Sequence, residues 1–209
     1  SIIAGLVSKH ASDLHSFAVG MPGAPDLPAA RLVADHLGTR HHEYLYTPEE
    51  AIREIENVIV HLESYDPALI RSAVPCYFVS RLAAQHVKVV LSGEGSDEAF
   101  AGYSYMEQIR DPLALHRECV RLLFHLHNMN LQRVDRMTMA HALEGRVPFL
   151  DVDFLDWAMA VDPAEKLQGK DRPEKWLLRR AFESLLPAEI VWRKKEEFAA
   201  GCGSEDILQ

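Results

Sequence analysis

The order of periodicities along the first ninety residues constrains the fold of this chain more than any other feature. Apolar residues at helical spacing over 2–10 give way to an extended run, Leu14-His15-Ser16-Phe17-Ala18-Val19-Gly20. The turn MPGAPD and the segment LPAARLVADHLG follow, with Asp26 placed to cap a helix and Gly38 to end it. Residues 42–47 alternate like a strand. Thr47-Pro48-Glu49-Glu50 then supplies a cap, a proline at the first helical position and an acidic first turn, which predicts a helix to about His61. After a break at Asp66-Pro67, a helix is expected near 72–86 and a buried strand over 87–91. Strands alternating with helices of this length build a parallel sheet with crossover helices on both of its faces.

The second half has a different character. Helices are expected near 112–128, 130–142, 152–160 and 173–186, with no strand. The chain thus reads as an α/β layer over 1–110 followed by a mainly helical layer over 111–209. At 209 residues it can bury a substantial core. No apolar run approaches the roughly 18 residues of a membrane span, and no secretory signal is visible. The opening SIIAGLVSKH starts inside a helical pattern without an initiator Met, which predicts that the chain belongs to a longer protein.

The sharpest local feature is the turn after the last strand, Ser92-Gly93-Glu94-Gly95-Ser96, with Asp97 and Glu98 opening the next helix. A strand, a glycine turn and a helix start commonly hold phosphate through exposed N–H groups. This turn, however, has no lysine and carries three carboxylates. One reading is structural: Ser96 caps a helix whose positive end Asp97 and Glu98 stabilise by roughly 0.3–1 kcal/mol each. The other is that the backbone meets a phosphate while a carboxylate holds Mg²⁺, a hard ion that takes carboxylate and phosphate oxygens together.

A net charge of −9 disfavours a nucleic-acid surface. The three cysteines, Cys76, Cys119 and Cys202, form neither a disulfide framework nor a CxxC metal site, so a reducing cytoplasm is expected. The pairs His41-His42 and His125-x-His127 do not share a helical face, and no metal site is expected of them.

VVLSGEGSDEAFAGY resembles the SGEGSDE-xx-GGY segment of the C-terminal synthetase domain of the glutamine-dependent asparagine synthetases. LHSFAVGMPGAPDL is similar to that family's LHSFAVG-x-PGSPDL, and IRSAVPCYFVSRLA to its IRASTP helix. GRVPFLDVDFLDWAM resembles its RVPFLD segment, and WRKKEEFAAGCG its WRxKEQFSDGVG. The five motifs keep the family's order through most of the chain. The resemblance implies an adenine nucleotide alpha-hydrolase-like, Rossmann-like fold. It also implies amidation of aspartate by way of a β-aspartyl adenylate, with ATP, Mg²⁺ and ammonia as the other participants.

Carried over by position, the resemblance makes Asp97 a Mg²⁺ ligand, puts Ser92 and Gly93 on AMP and places Val19 near the adenine. Glu94 would act at the activated acyl centre. Lys195 and Arg71 would meet the phosphates. Tyr103 could reach the site or simply fill the core, and Asp151 is expected to cap a helix. The family's pyrophosphate loop, SGGxDS, and its N-terminal glutaminase domain are expected in the same protein upstream of Ser1, and without them asparagine synthesis is not expected of this chain alone. A homodimer is compatible with the resemblance; nucleic-acid and membrane partners are not expected.

Ala101 departs from the first glycine of GGY, the link over 9–14 is short, and PALIRSAVP and AAGCG differ from the family's TTIRASTP and SDGVG. These departures leave two other readings open. One is an adenylating synthetase that forms a different amide or a lactam; the other is a non-catalytic relative that binds a nucleotide or a partner.

Overall fold

A computed structural model describes residues 1–205. It begins with α1 (Ile2–Val7), β1 (His15–Gly20), α2 (Asp26–Leu37) and β2 (Arg40–Leu45). β1 and β2 run parallel in the register His15↔Arg40 to Gly20↔Leu45, so α2 is a crossover helix. Gly38, in the left-handed region at φ 66°, ends α2 as its position predicts. Asp26 corrects the expectation: Pro25 occupies the cap position, and Asp26, already in the helix, pairs with Arg193 at 2.7 Å.

The next helices are α3 (Pro48–Leu62) and α4 (Pro67–Ala84). In α3, Thr47 and Glu50 form a reciprocal capping box: the Glu50 N–H donates to Thr47 Oγ1 at 3.2 Å and the Thr47 N–H to Glu50 Oε2 at 2.8 Å. Ala51, Val58 and Leu62 form its buried stripe. Thr47→Ala is expected to cost about 1 kcal/mol. In a thermal melt that corresponds to a fall in Tm of roughly 2–4 °C.

α4 starts five residues earlier than the sequence pattern suggests, because Asp66 caps it by accepting from the Ala68 and Leu69 N–H groups. Pro75 lies inside this helix, and lacking an N–H it leaves the Arg71 carbonyl without its usual helical donor. Ten of the eighteen residues of α4 are buried, including Ala73, Val74 and Phe78, and that burial offsets the lost bond.

β3 (Val89–Leu91) leads into the acidic turn and the single-turn helix α5 (Ser96–Ala99), followed by α6 (Pro112–His125) and α7 (Asn130–Met139). The second half does contain a strand, contrary to expectation. β4 (Glu144–Arg146) pairs parallel with β3 through Val89↔Glu144, Val90↔Gly145 and Leu91↔Arg146. Three exposed residues, Glu-Gly-Arg, carry no strand propensity, so neighbouring structure alone sets their conformation. α8 (Val152–Ala160) is capped by Asp151, whose carboxylate accepts from the Phe154 N–H, as the sequence suggests. α9 (Trp176–Ala181), α10 (Ala188–Val191) and α11 (Phe198–Gly201) complete the order.

α2 packs on one face of the β1–β2 sheet and α4 on the other, while α7 packs against α4. The largest apolar cluster joins Val19, Tyr46, Val58 and Phe78 of the first half to Val134, Met137 and Cys202 of the second. Among the described residues β1 pairs only with β2 and β3 only with β4. Between the two sheets runs a cavity of about 880 Å³, lined by Ala18, Val19, Val89, Val90 and Leu91 among others. Leu91, expected to be buried, is 42 % exposed. No helix among the described residues is long and apolar enough to cross a membrane.

Candidate active site at the acidic turn

Ser92, Gly93 and Ser96 line the cavity together with Lys175, Lys194 and Lys195. The strand ends here because the Ser92 N–H donates its last ladder bond, to the Arg146 carbonyl at 2.8 Å. The chain then turns at Gly95, which has φ 89° and abuts Leu150 so closely that a Cβ would lie 2.3 Å from Leu150 Cδ2. Gly93 is different: nothing lies within 4 Å of where its Cβ would be, so its backbone faces open space. α5 is one turn long, with Gly95 rather than Ser96 at its cap. The loop therefore offers separate N–H groups and not the summed dipole of a long helix.

Asp97 is the centre of charge. Its Oδ1 accepts from Lys175 Nζ and from Lys195 Nζ, each at 2.8 Å. Burial pushes its carboxyl upward, but Lys175 and Lys195 outweigh that and hold it below the ordinary aspartate value. Asp97 is thus a carboxylate at neutral pH, and no protein donor reaches its Oδ2 among the described residues. Lys195 also donates to the Gly102 carbonyl at 2.8 Å, with Nζ 4.5 Å from the Tyr103 ring centroid.

Gly102 is needed at this place, since a Cβ there would fall 1.9 Å from Asp97 Oδ1. Ala101, where the resembled motif carries glycine, adopts φ 53° while fully buried. An alanine in that conformation costs roughly 1–2 kcal/mol.

Glu94 pairs with an arginine and not with the lysines. Its Oε1 accepts from Arg133 Nη2 at 2.6 Å, and burial pushes its carboxyl above the ordinary value despite Arg133. Arg133 is itself buried, with its Nε unpartnered. Below it burial drives the Cys76 thiol up to about 11. Glu98 is buried and accepts from the Tyr103 hydroxyl and the Asn130 amide.

Of the residues singled out from the sequence, Val19, Ser92, Gly93 and Lys195 line the cavity, and Asp97 is bound to two of its lysines. The Val19 side chain sits in the core cluster, which leaves its backbone for the cavity. Glu94 is not on the wall, and neither is Arg71. Arg71 lies in the second turn of α4, half-buried.

Two residues were missed. Arg133 had a signal, being a charge on the buried stripe Val134, Met137 and Thr138 of α7. Lys175 had none; it stands at φ 56° just before α9, and only the tertiary fold brings it to Asp97. The lysine segment is anchored from two sides: Arg179 donates to the Val191 and Arg193 carbonyls, and Arg193 pairs with Asp26. In a protein of net charge −9, Lys175, Arg179, Arg193, Lys194 and Lys195 all gather on this cavity. Such a concentration suits a polyanion.

Comparison with known proteins identifies the family. The family model described as asparagine synthase matches residues 1–113 and 107–209. A probable glutamine-hydrolysing asparagine synthetase of Schizosaccharomyces pombe is 50% identical over 199 residues, covering 91% of this chain and 36% of the relative. Asparagine synthetase B of Escherichia coli is 45% identical over 218 residues, covering 97% and 39%. A probable asparagine synthetase of Dictyostelium discoideum is 46% identical over 228 residues, covering 97% and 41%. The chain spans about two fifths of the length of these relatives. With its motifs in order, its lysine-clamped aspartate and a match along its whole length, the chain belongs to the asparagine synthase family.

Proposed function

We propose that the protein carrying this chain makes asparagine from aspartate, ATP and glutamine-derived ammonia, and that this chain is its synthetase part. The observation that carries the reading is Asp97 between Lys175 and Lys195, beside the open backbone of Gly93. In the first step the aspartate side-chain carboxylate attacks the α-phosphate of ATP; the new P–O bond forms as pyrophosphate leaves. In the second, ammonia attacks the activated acyl carbon, AMP departs, and a proton passes to Glu94. Adenylation is needed because a free carboxylate is a poor acyl electrophile.

Lys175 and Lys195 would stabilise the charge that develops on the departing pyrophosphate. Mg²⁺ fits the donor set, since Asp97 offers a carboxylate oxygen with no protein donor on it. Bound there, the ion would neutralise phosphate oxygens. Ser92 and Gly93 would bear on AMP and the Val19 backbone on the adenine, with Arg71 as a more distant phosphate partner. The remaining three fifths of the relatives' length would hold the glutaminase domain and the pyrophosphate loop. A cytoplasmic setting suits three buried free thiols.

Pyrophosphate release by the full-length protein tests the substrate. It is expected to require aspartate and to ignore glutamate and other acids. Release driven by a larger acid and not by aspartate would favour the amide- or lactam-forming alternative. Binding of ATP with no release under any acid would mark a non-catalytic relative.

A further inference from the structure

A second cluster lies at the opposite end of the β1–β2 sheet, where the strands begin. His15 opens β1, His42 is the third residue of β2, and His86 lies in the turn that follows α4. The sequence separates them by 27 and 44 positions, so no spacing motif announces them. Neither of the histidine pairs visible in the sequence supplies the group; only His42 of the first pair takes part. His15 Nδ1 and His42 Nε2 are 3.1 Å apart, one donating to the other. The His42 and His86 rings stack with centroids 3.8 Å apart. Each of the three rings offers a nitrogen within 4.8 Å of the others.

We propose that His15, His42 and His86 form a site for a divalent transition-metal ion of the zinc, nickel or copper class, separate from the adenylation centre. Imidazole nitrogens are the preferred donors of these ions, and neutral rings are the form that ligates. Tetrahedral coordination with bonds of about 2.0–2.1 Å puts donor atoms roughly 3.3 Å apart. The His15–His42 pair already has nearly that separation. His86 must turn out of its stack to aim a nitrogen at the same point, and its exposure on a turn allows this.

The surroundings favour an ion here. Asp13 Oδ1 lies 3.7 Å from His15 Nε2, beyond hydrogen-bond distance but near enough for its negative charge to favour a cation. Asp13 is shared with Arg40, whose Nε is at 2.8 Å. Phe17 stacks on His42 from the same face and fixes that ring, with centroids 5.2 Å apart. An ion there would tie the starts of β1 and β2 to the end of α4, which makes it a structural brace.

The test is titration of the untagged full-length protein with Zn²⁺ and Co²⁺, without nucleotide, followed by calorimetry and visible absorption. One equivalent is expected to bind tightly, with the visible bands of four-coordinate Co²⁺ and a Zn²⁺-dependent rise in Tm. His86→Ala, at an exposed turn position, is expected to weaken binding at least ~10-fold and to abolish the rise. His125→Ala, on α6, is expected to change neither. Absence of uptake overturns the proposal. Uptake that persists undiminished in both His42→Ala and His86→Ala overturns it too.

Discussion

Asp97→Asn in the full-length protein is expected to lower aspartate-dependent pyrophosphate release by at least ~10³-fold, the scale of losing a main electrostatic element of a phosphoryl-transfer site. The argument rests on charge. Asn keeps an oxygen for Lys175 and Lys195 but supplies no negative charge, so the hard-cation ligand is lost while the hydrogen bonds have a substitute. Both lysines keep about a fifth of their side-chain surface in water and can be hydrated once their partner is neutral. Thermal unfolding is expected to stay cooperative but at a lowered Tm, because a part-buried ion pair loses the charge of one partner. The linkage has a definite sign. Asp97 has its carboxyl held below the ordinary value, so its stabilising contribution is complete above the unfolded aspartate value and fades as pH falls through the folded one. A folded Asp97→Asn variant with parental release rates would remove the metal role. An unfolded one would place Asp97 in the scaffold.

Glu94→Gln should separate the two half-reactions. Adenylate formation, read as pyrophosphate release, is expected to persist. Asparagine formation is expected to fall by ~10²–10⁴-fold, the range for loss of a general base. Glu94 suits that role because burial raises its carboxyl above the ordinary value while Arg133 fixes one oxygen and leaves the other unbonded. The acid limb of the ammonia-dependent rate should lie above the ordinary glutamate value of about 4.3. In Glu94→Gln that limb should vanish. A variant that loses both half-reactions equally would show that Glu94 serves adenylation or folding instead.

The sequence made the α/β layer legible because its signals are local. Thr47-Pro48-Glu49-Glu50 became a capping box, Gly38 closed its helix and Asp151 capped another. Long-range effects were invisible. Asp66-Pro67 read as a break and hid the first turn of α4, which Asp66 in fact caps, and the helix continues through Pro75 on the burial of ten of its eighteen residues. β4 exists because β3 offers an edge, not because Glu-Gly-Arg favours extension. The site divides the same way. Ser92, Gly93 and Asp97 were readable from one loop, and Lys195 from its motif. Lys175 arrives from 78 residues away with no pattern to mark it. The histidine cluster is the extreme case, since its members come from three elements and adjacency in sequence pointed to the wrong partners.

The two sheets are unequal, and this bears on how the protein breathes. β1 and β2 share six paired positions, whereas β3 and β4 share three and lead into the turn that carries Glu94 and Asp97. Local opening is cheapest where few backbone bonds must break. The amides of 89–91 should therefore exchange with solvent through smaller fluctuations than those of 15–20. The acidic turn hangs from the softer sheet, so a ligand gripping Asp97 and the lysines also quiets the strand behind them. Part of its binding free energy is spent on that ordering and is withdrawn from apparent affinity.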